Sequence, residues 1–218
     1  RQGLPTEPPP QVPSVAAHRS DSACANRRAV ITCGGMSRNP LSVLQEIFGY
    51  PSFRGRQAEV IDHVIAGGSA LVLMPTGGGK SLCYQVPALC RSGMALVISP
   101  LIALMRDQVE ALRQVGVRAV VYNSTLRGEE KSQVRAAALA GKLDLLYVAP
   151  ETLNTEFFAD FARRLSLSLI AVDEAHCVSQ WGHDFRPDYL EIVKLRTMHP
   201  KVPLLALTAT ADPLTREE

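Results

Sequence analysis

The chain has 218 residues, of which 46% are hydrophobic and 20% are charged, and its formal net charge is +2. This apolar content is enough for one sizeable globular core, whereas the near-neutral charge neither requires nor excludes a polyanionic partner. The sequence contains no continuous apolar run of about 18 residues and no signal-peptide pattern, so we expect a cytoplasmic protein without a membrane partner.

Residues 1–38 differ in composition from the rest of the chain. Five prolines fall within the first 13 residues, and no hydrophobic period continues through the segment. Because such a composition buries little apolar surface, we expect a disordered leader over 1–38 and one folded domain over 39–218. The chain begins with arginine rather than methionine, which we interpret as a sign of a fragment or a trimmed end.

From residue 39 onward, helical and strand patterns alternate. Helical spacing is found at 41–48, 57–65, 101–115, 129–140, 153–165 and 187–198. Short apolar strands are predicted at 70–74, 95–98, 118–121, 143–148, 167–172 and 204–207. This alternation predicts a three-layer α/β fold whose central, mainly parallel sheet is covered by helices on both faces. In such folds the ligand site lies at the carboxyl ends of the strands.

Aromatic and polar side chains over residues 48–57 form the first candidate binding segment. We expect Tyr50 and Arg54 to sandwich a purine ring and the Gln57 amide to bond the adenine edge. The alternative is that aromatic residues only staple two helices together. We expect that structural role for Phe48 and Phe53, and it stays open for Tyr50 and Gln57.

A glycine-rich loop, residues 75–81 (PTGGGKS), follows the predicted strand 70–74 and opens a helix. Glycines let backbone N–H groups turn toward phosphate oxygens, and the helix dipole adds to that attraction. Lys80 is expected to reach the β and γ phosphates and Ser81 to ligate Mg²⁺. Met74 replaces the first glycine of the general pattern, but the strand–loop–helix context favours a phosphate loop over a merely flexible turn.

An acidic pair, Asp173 and Glu174, ends the predicted strand 167–172. We expect Asp173 to hold the Mg²⁺ shell and Glu174 to orient or deprotonate the attacking water. Acidic residues also cap helices, so the pair is informative only together with the phosphate loop. His176 is either a core histidine or, as we favour, a link between nucleotide state and neighbouring loops.

The segment 177–189 (CVSQWGHDFRPDY) combines aromatic and cationic groups next to the acidic pair. Stacking of a base on an aromatic side chain contributes about 1–3 kcal/mol. Trp181 and Phe185 are therefore expected to signal to Glu174 whether a nucleic-acid strand is bound. Packing as core is the alternative, although the Gly, Asp and Pro around Trp181 disfavour it. Thr208 and Thr210 either bridge to the acidic pair or simply end a strand, and both readings stay open.

With these motifs placed, the chain resembles the RecQ family of ATP-dependent DNA helicases, within helicase superfamily two, over about residues 36–218. The resemblance is carried by residues 48–57, 77–81, 99–101, 123–124, 149–151, 173–189 and 208–210. Residues 180–186 (QWGHDFR) are its most specific part, because other members of the superfamily share the Asp-Glu-Ala-His sequence but lack this aromatic run.

The resemblance implies a RecA-like P-loop NTPase domain that uses ATP and Mg²⁺ to move 3′ to 5′ on DNA in recombination and repair. The implied nucleotide-binding residues are Tyr50, Arg54, Gln57, Thr76, Gly77, Gly78, Gly79, Lys80 and Ser81. The implied catalytic residues are Lys80, Asp173 and Glu174, with Ser81 and Asp173 as metal ligands. The implied DNA-binding or coupling residues are Ser99, Pro100, Asn123, Ser124, His176, Trp181, His183, Phe185, Arg186, Thr208 and Thr210.

The implied partners are single-stranded and forked duplex DNA and a second RecA-like domain, which carries an arginine finger and is absent from residues 1–218. Because such a finger contributes about 10³–10⁵ in rate, we expect this segment alone to be nearly inactive. A bacterial source would imply association with the nucleoid. Two alternatives stay open: an RNA helicase or translocase of the same superfamily, and a truncated, non-catalytic nucleic-acid-binding module.

Overall fold

The computed structural model describes residues 38–178 and 186–209. Within these residues, six strands form a single sheet in the order β1-β6-β5-β2-β4-β3, and each pairing is parallel. The strands are β1 (Ala70–Leu73), β2 (Met94–Ile98), β3 (Ala119–Tyr122), β4 (Leu145–Val148), β5 (Leu167–Val172) and β6 (Leu204–Thr208).

Eight α-helices connect or flank these strands in the described part of the chain. They are α1 (Pro40–Glu46), α2 (Gln57–Ile65), α3 (Leu82–Cys90), α4 (Ile102–Gln114), α5 (Gly128–Leu139), α6 (Pro150–Leu153), α7 (Glu156–Arg163) and α8 (Ile192–Met198). Two 3₁₀ helices lie at Ala175–Val178 and Pro187–Glu191. The helix predicted to open after the phosphate loop is α3.

The central strands β2, β4 and β5 are buried on both faces, which confirms the predicted three-layer α/β architecture, whereas Leu71 and Leu73 of the edge strand β1 are exposed. All five residues of β2 are buried, as expected for a central parallel strand with helices on both sides. Alternate residues of this strand enter different cores: Leu96 and Ile98 pack in the cluster that contains Phe158, whereas Ala95 and Val97 pack in the cluster that contains Tyr84. The continuous apolar runs in the sequence therefore reflect double-sided burial.

The helix predicted over 153–165 is shorter in the structure, where α7 covers Glu156–Arg163. Leu153 is the last residue of the preceding short helix α6, and Asn154 and Thr155 separate α6 from α7. The Thr155 Oγ1 atom accepts a hydrogen bond from the Phe158 N–H at 3.2 Å, so threonine acts as the N-cap of α7. The predicted helix over 187–198 also begins differently, because a 3₁₀ turn precedes α8.

The folded domain begins with a capped helix. The Asn39 Oδ1 atom accepts hydrogen bonds from the backbone N–H groups of Leu41 at 2.9 Å and Ser42 at 3.2 Å. Two N–H groups at the N-terminus of α1 that have no partner within the helix are therefore satisfied. Residues 1–37 lie outside the described part of the chain. The disordered leader therefore stays a prediction, as does the division of the chain at 38 and 39.

The topology brings the candidate motifs to one edge of the sheet. Because all pairings are parallel, the strand carboxyl ends share that edge, where ligands bind in open α/β sheets. The phosphate loop follows β1, the segment 99–101 follows β2, Asn123 follows β3, and Asp173 follows β5. Strand β6, which ends at Thr208, lies between β1 and β5 and thus between the phosphate loop and the acidic pair.

Candidate functional site

The backbone of the phosphate loop requires glycine at three consecutive positions. Gly77 and Gly79 have φ angles of +78° and +77°, a region that L-residues rarely adopt. Gly78 has an ordinary φ, but a Cβ atom there would lie only 2.9 Å from the Pro75 carbonyl oxygen. The loop conformation therefore depends on the absence of side chains.

Three backbone amides at the end of this loop are free to bind an anion. The N–H groups of Gly79, Lys80 and Ser81 have no hydrogen-bond partner among the residues that the structure describes. They lie immediately before α3, a nine-residue helix whose dipole favours negative charge at this end. Consecutive unpaired N–H groups at a helix N-terminus form a site suited to phosphate.

Lys80 is held inside the loop. Its Nζ atom donates to the backbone oxygen of Met74 at 3.2 Å. This is a single neutral acceptor, which a phosphate oxygen can replace with a charge-assisted hydrogen bond. The lysine side chain therefore lies close to the free amides, where it adds positive charge to the anion site.

The Gln57 side chain is bound to the phosphate loop. Its Nε2 atom donates to the backbone oxygens of Gly78 at 3.2 Å and Gly79 at 3.1 Å, and its Oε1 atom accepts from the Arg54 N–H at 2.8 Å. Gln57 is 2% exposed, whereas Tyr50 is 46% exposed. The predicted adenine-binding residues thus divide into an exposed aromatic ring, an exposed arginine, and an amide already engaged with the loop.

Two aromatic residues of the same segment support the fold, as expected. Phe48 and Phe53 are partly buried and pack against the cluster formed by α1, α2 and α3. Their role as a staple between helices is confirmed, which leaves Tyr50 as the exposed aromatic ring of residues 48–57.

The acidic pair lies in a strained turn at the end of β5. The Asp173 N–H donates to the Ile98 backbone oxygen at 2.8 Å, and the Asp173 Oδ1 atom accepts from the Glu174 N–H at 3.0 Å. Glu174 has φ +50°, a left-handed conformation that is uncommon for glutamate. The Tyr189 hydroxyl donates to the Asp173 backbone oxygen at 3.0 Å, and this bond helps to hold the turn in place.

Burial and like charge both act on the Asp173 carboxyl group. Burial, followed by the negative charge of Glu174, raises the pKa of Asp173 above its usual value. The positive charges of Lys80 and His176 oppose this effect. A buried carboxylate with incomplete charge compensation is a site at which a cation is stabilised.

His176 joins two elements of the site. Its Nδ1 atom lies 2.9 Å from the Thr208 Oγ1 atom and 3.3 Å from a carboxylate oxygen of Glu174. The imidazole therefore connects the end of β6 with the acidic pair. The link between nucleotide state and neighbouring loops stays a prediction for His176.

The donor set of the site fits a magnesium ion accompanied by phosphates. Ser81 offers a hydroxyl and Asp173 a carboxylate, the hard oxygen ligands that Mg²⁺ prefers. Within 38–178 and 186–209, no group of three or more His, Cys, Asp or Glu side chains is arranged to hold a metal alone. An ion bound here would take its remaining ligands from phosphate oxygens and water.

The predicted DNA-facing segments present less side-chain surface than expected. Ser99 and Asn123 are each 2% exposed. The Asn123 Oδ1 atom accepts from the Thr125 N–H at 3.1 Å and from its hydroxyl at 2.8 Å, so it shapes its own loop. Pro100 is half-buried, and Ser124 is exposed. A ligand can reach these segments mainly through Ser124 and backbone groups.

The aromatic loop, residues 179–185, lies outside the described residues and contains Trp181, His183 and Phe185. Thr210 also lies outside them. The ends of the loop are close together, because the Arg186 N–H donates to the Cys177 backbone oxygen at 3.0 Å. The Arg186 side chain is exposed. The described residues that flank 179–185 are thus held together, and the Cys177 N–H donates to the Glu174 backbone oxygen at 3.0 Å.

Two further residues contact the site: Gln108, which the sequence did not single out, and Tyr189, which lies in the predicted segment 177–189 but was given no role of its own. Gln108 of α4 donates to Ser81, and Tyr189 binds the Asp173 backbone. Each lies far in sequence from the residue it contacts. The one local signal is Gln85, a polar residue in the otherwise apolar α3, which bonds the Gln108 side chain.

Comparison with known proteins gives concordant results. A family model described as DEAD/DEAH box helicase matches residues 54–217. The chain is 50% identical over 183 residues to the ATP-dependent DNA helicase RecQ of Pasteurella multocida, covering 84% of this chain and 29% of that protein. It is 51% identical over 178 residues to the protein of the same name from Haemophilus influenzae, covering 82% of this chain and 29% of that protein.

Solved structures support the fold. The crystal structure of the DUF1998 helicase MrfA bound to DNA and AMPPNP superposes with a TM-score of 0.66 at 20% identity, covering 81% of this chain and 27% of that chain. At this identity the likeness concerns the fold alone. The chain spans less than a third of the length of both bacterial relatives. None of the described helices has the length and apolar character that crossing a bilayer requires.

Proposed function

The chain belongs to the DEAD/DEAH box helicase family, and from this premise we propose that it is the first RecA-like motor domain of a RecQ-type ATP-dependent DNA helicase. The observation that carries the proposal is the row of free amides at Gly79, Lys80 and Ser81, at the same sheet edge as Asp173 and Glu174. Identities of 50% and 51% to proteins named RecQ support the choice among helicase types.

In this proposal, the phosphates of ATP bind the free amides. Lys80 exchanges its bond with the Met74 carbonyl for the β and γ phosphates. Ser81 and Asp173 hold Mg²⁺, which when bound supplies neutralising charge to the phosphates. The Glu174 carboxylate, held beside His176, orients the attacking water and accepts its proton. Tyr50 and Arg54 are the exposed groups available to the adenine ring, with Thr76 and Gly77 completing the loop.

The proposed substrate is DNA, with single-stranded and forked duplex forms as ligands and 3′-to-5′ movement. Trp181, His183, Phe185 and Arg186 are proposed to sense the strand, and Ser99, Pro100, Asn123 and Ser124 to line its path. His176, Thr208 and Thr210 are proposed to couple the strand to hydrolysis. The bond between Arg186 and Cys177 supports this, because it joins the sensing loop to the 3₁₀ helix that carries His176. A second RecA-like domain is the proposed intramolecular partner.

The proposal is tested by nucleotide turnover in the longer protein that contains the second domain. Glu174→Gln is expected to retain ATP binding and to lose about 10²–10⁴ in turnover, the usual contribution of a general base. Lys80→Ala is expected to weaken ATP binding as well. If neither change affects turnover, the chain is a non-catalytic nucleic-acid-binding module instead. Stimulation by RNA but not DNA would identify an RNA helicase.

The sensing role has a separate test. Trp181→Ala is expected to leave basal ATP turnover intact and to remove its stimulation by single-stranded DNA. Equal loss of basal and stimulated turnover would show that Trp181 is a packing residue.

A further inference from the structure

Gln108 of α4 links the phosphate loop to a buried polar cluster. Its Nε2 atom donates to the Ser81 Oγ atom at 2.9 Å. Its Oε1 atom accepts from the Gln85 Nε2 atom at 2.8 Å and from the Tyr84 hydroxyl at 3.3 Å. The Tyr147 hydroxyl donates to the same oxygen at 3.4 Å. The Gln108 amide therefore has partners at both of its ends.

These partners fix the orientation of the Gln108 amide. The Gln85 side-chain nitrogen donates at 2.8 Å and the Tyr84 hydroxyl lies 3.3 Å from the same Oε1 atom, so the oxygen end of the Gln108 amide faces this cluster. With donors gathered around the Oε1 atom, the NH₂ group must face Ser81. The bond to the serine therefore has one direction: Gln108 donates and the Ser81 oxygen accepts.

The direction of this bond determines what Ser81 can still do. A hydroxyl oxygen has two lone pairs, and Gln108 occupies one of them. The second lone pair stays available to a cation, and the position of the oxygen is fixed by the bond. Ser81 is the α3 N-cap, and its side chain makes no capping hydrogen bond. Among the described residues, Gln108 donates to the Ser81 oxygen, and the Ser81 hydroxyl also interacts with the Tyr84 side chain.

We propose that Gln108 is a positioning residue that holds the Ser81 hydroxyl with its free lone pair toward Mg²⁺, an inference that rests on the proposed nucleotide site. Gln108 does not touch nucleotide or metal; it acts through Ser81. The bond also connects the metal ligand to α4, the helix that begins directly after residues 99–101 at the carboxyl end of β2. A displacement of α4 is therefore transmitted to the metal ligand through one side chain.

The experiment measures binding of a fluorescent ATP analogue to the 218-residue chain, in Mg²⁺ and in EDTA. The readout is the dissociation constant in EDTA divided by the dissociation constant in Mg²⁺. This ratio is large when the metal strengthens binding of the analogue. Gln108→Leu keeps the side-chain volume but cannot donate. We expect it to reduce this ratio about three- to tenfold, the effect of losing one hydrogen bond, while binding in EDTA stays unchanged.

Three further variants make the result decisive. Gln114→Ala removes an exposed glutamine from the same helix and is expected to leave the ratio unchanged. Gln85→Met removes a partner of the Gln108 oxygen without touching Ser81, so it is expected to lower the ratio less than Gln108→Leu does. It also keeps the inference testable if Gln108→Leu does not fold. Lys80→Ala is expected to weaken binding in both buffers.

The outcomes separate the two proposals. If Gln108→Leu and Gln85→Met leave the ratio unchanged, or weaken binding equally in Mg²⁺ and EDTA, the positioning role is overturned while the nucleotide site stands. If Lys80→Ala binds the analogue as tightly as the unmodified chain does, the nucleotide site itself is wrong.

Discussion

Alanine at Gly79 tests the contact between Gln57 and the phosphate loop, and alanine at Gly77 provides a matched control. The two glycines have nearly equal φ angles, +77° and +78°. A Cβ atom at Gly79 would lie 2.4 Å from the Gln57 Nε2 atom, whereas a Cβ atom at Gly77 would meet nothing within 4 Å. Both substitutions therefore strain the backbone, but only one of them displaces a side chain.

The structure sets the expected magnitudes. Placing an L-residue in the left-handed region costs about 1–2 kcal/mol, and this cost is common to both variants. Gly79→Ala must also move the Gln57 amide, which loses its bonds to Gly78 and Gly79. At about 0.5–1.5 kcal/mol for each hydrogen bond, the additional loss is about 2 kcal/mol. Because the displaced atom ends a flexible side chain, a larger steric cost is not expected.

The assay is urea denaturation of both variants without nucleotide, repeated in a Gln57→Ala background. We expect Gly79→Ala to be less stable than Gly77→Ala in the natural background and equal to it when Gln57 is absent. This cycle isolates the contact from backbone strain. Equal stabilities in the natural background, or a difference that survives removal of Gln57, would refute the assigned contact.

Two further predictions concern the turn after β5. In the folded protein the pKa of Asp173 is raised above its ordinary value of 3.8. The contribution of this carboxyl group to folding stability is therefore fully present at pH values below 3.8 and is lost as the pH rises through the folded pKa. In metal-free buffer, Asp173→Asn should therefore have a higher free energy of unfolding than the unmodified protein at neutral pH, with the advantage shrinking toward acidic pH; a constant difference across pH would contradict the shift. Tyr189→Phe should lower the free energy of unfolding by about 1 kcal/mol, because the Asp173 carbonyl loses its hydroxyl donor. A thermal or urea melt measures this, and an unchanged midpoint would show that the bond contributes nothing.

The strands could be predicted from the sequence because parallel strands buried on both faces appear as continuous apolar runs. The run over 167–172 matches β5 residue for residue, and the helix over 57–65 matches α2. The strand order could not be predicted in this way. The pairing of β1 with β6 joins residues more than 130 positions apart, and nothing in either segment identifies the other. The break at Thr155 was missed because a capping threonine interrupts an otherwise helical pattern.

The candidate site divides along the same line. The phosphate loop and the acidic pair are local motifs, so their positions at one sheet edge follow once a parallel sheet is predicted. The bond between Gln108 and Ser81 spans 27 positions and depends on how α4 packs against α3. Gln57 was selected for its amide, but the partners of that amide in this structure are loop carbonyls, which only the fold reveals.

In the turn after β5, the residues proposed for catalysis are also residues that lower the thermal stability of the domain. Burial opposes ionisation of the Asp173 carboxyl group and raises its pKa, and Glu174 holds a left-handed backbone that glycine would adopt without strain. A directed-evolution screen that rewards survival of heating alone would therefore favour Asp173→Asn and Glu174→Gly. Those changes delete the proposed metal ligand and the proposed water-orienting carboxylate. Any stabilisation campaign on this domain thus needs a turnover measurement in every round, since the most accessible gains lie at the residues it must keep.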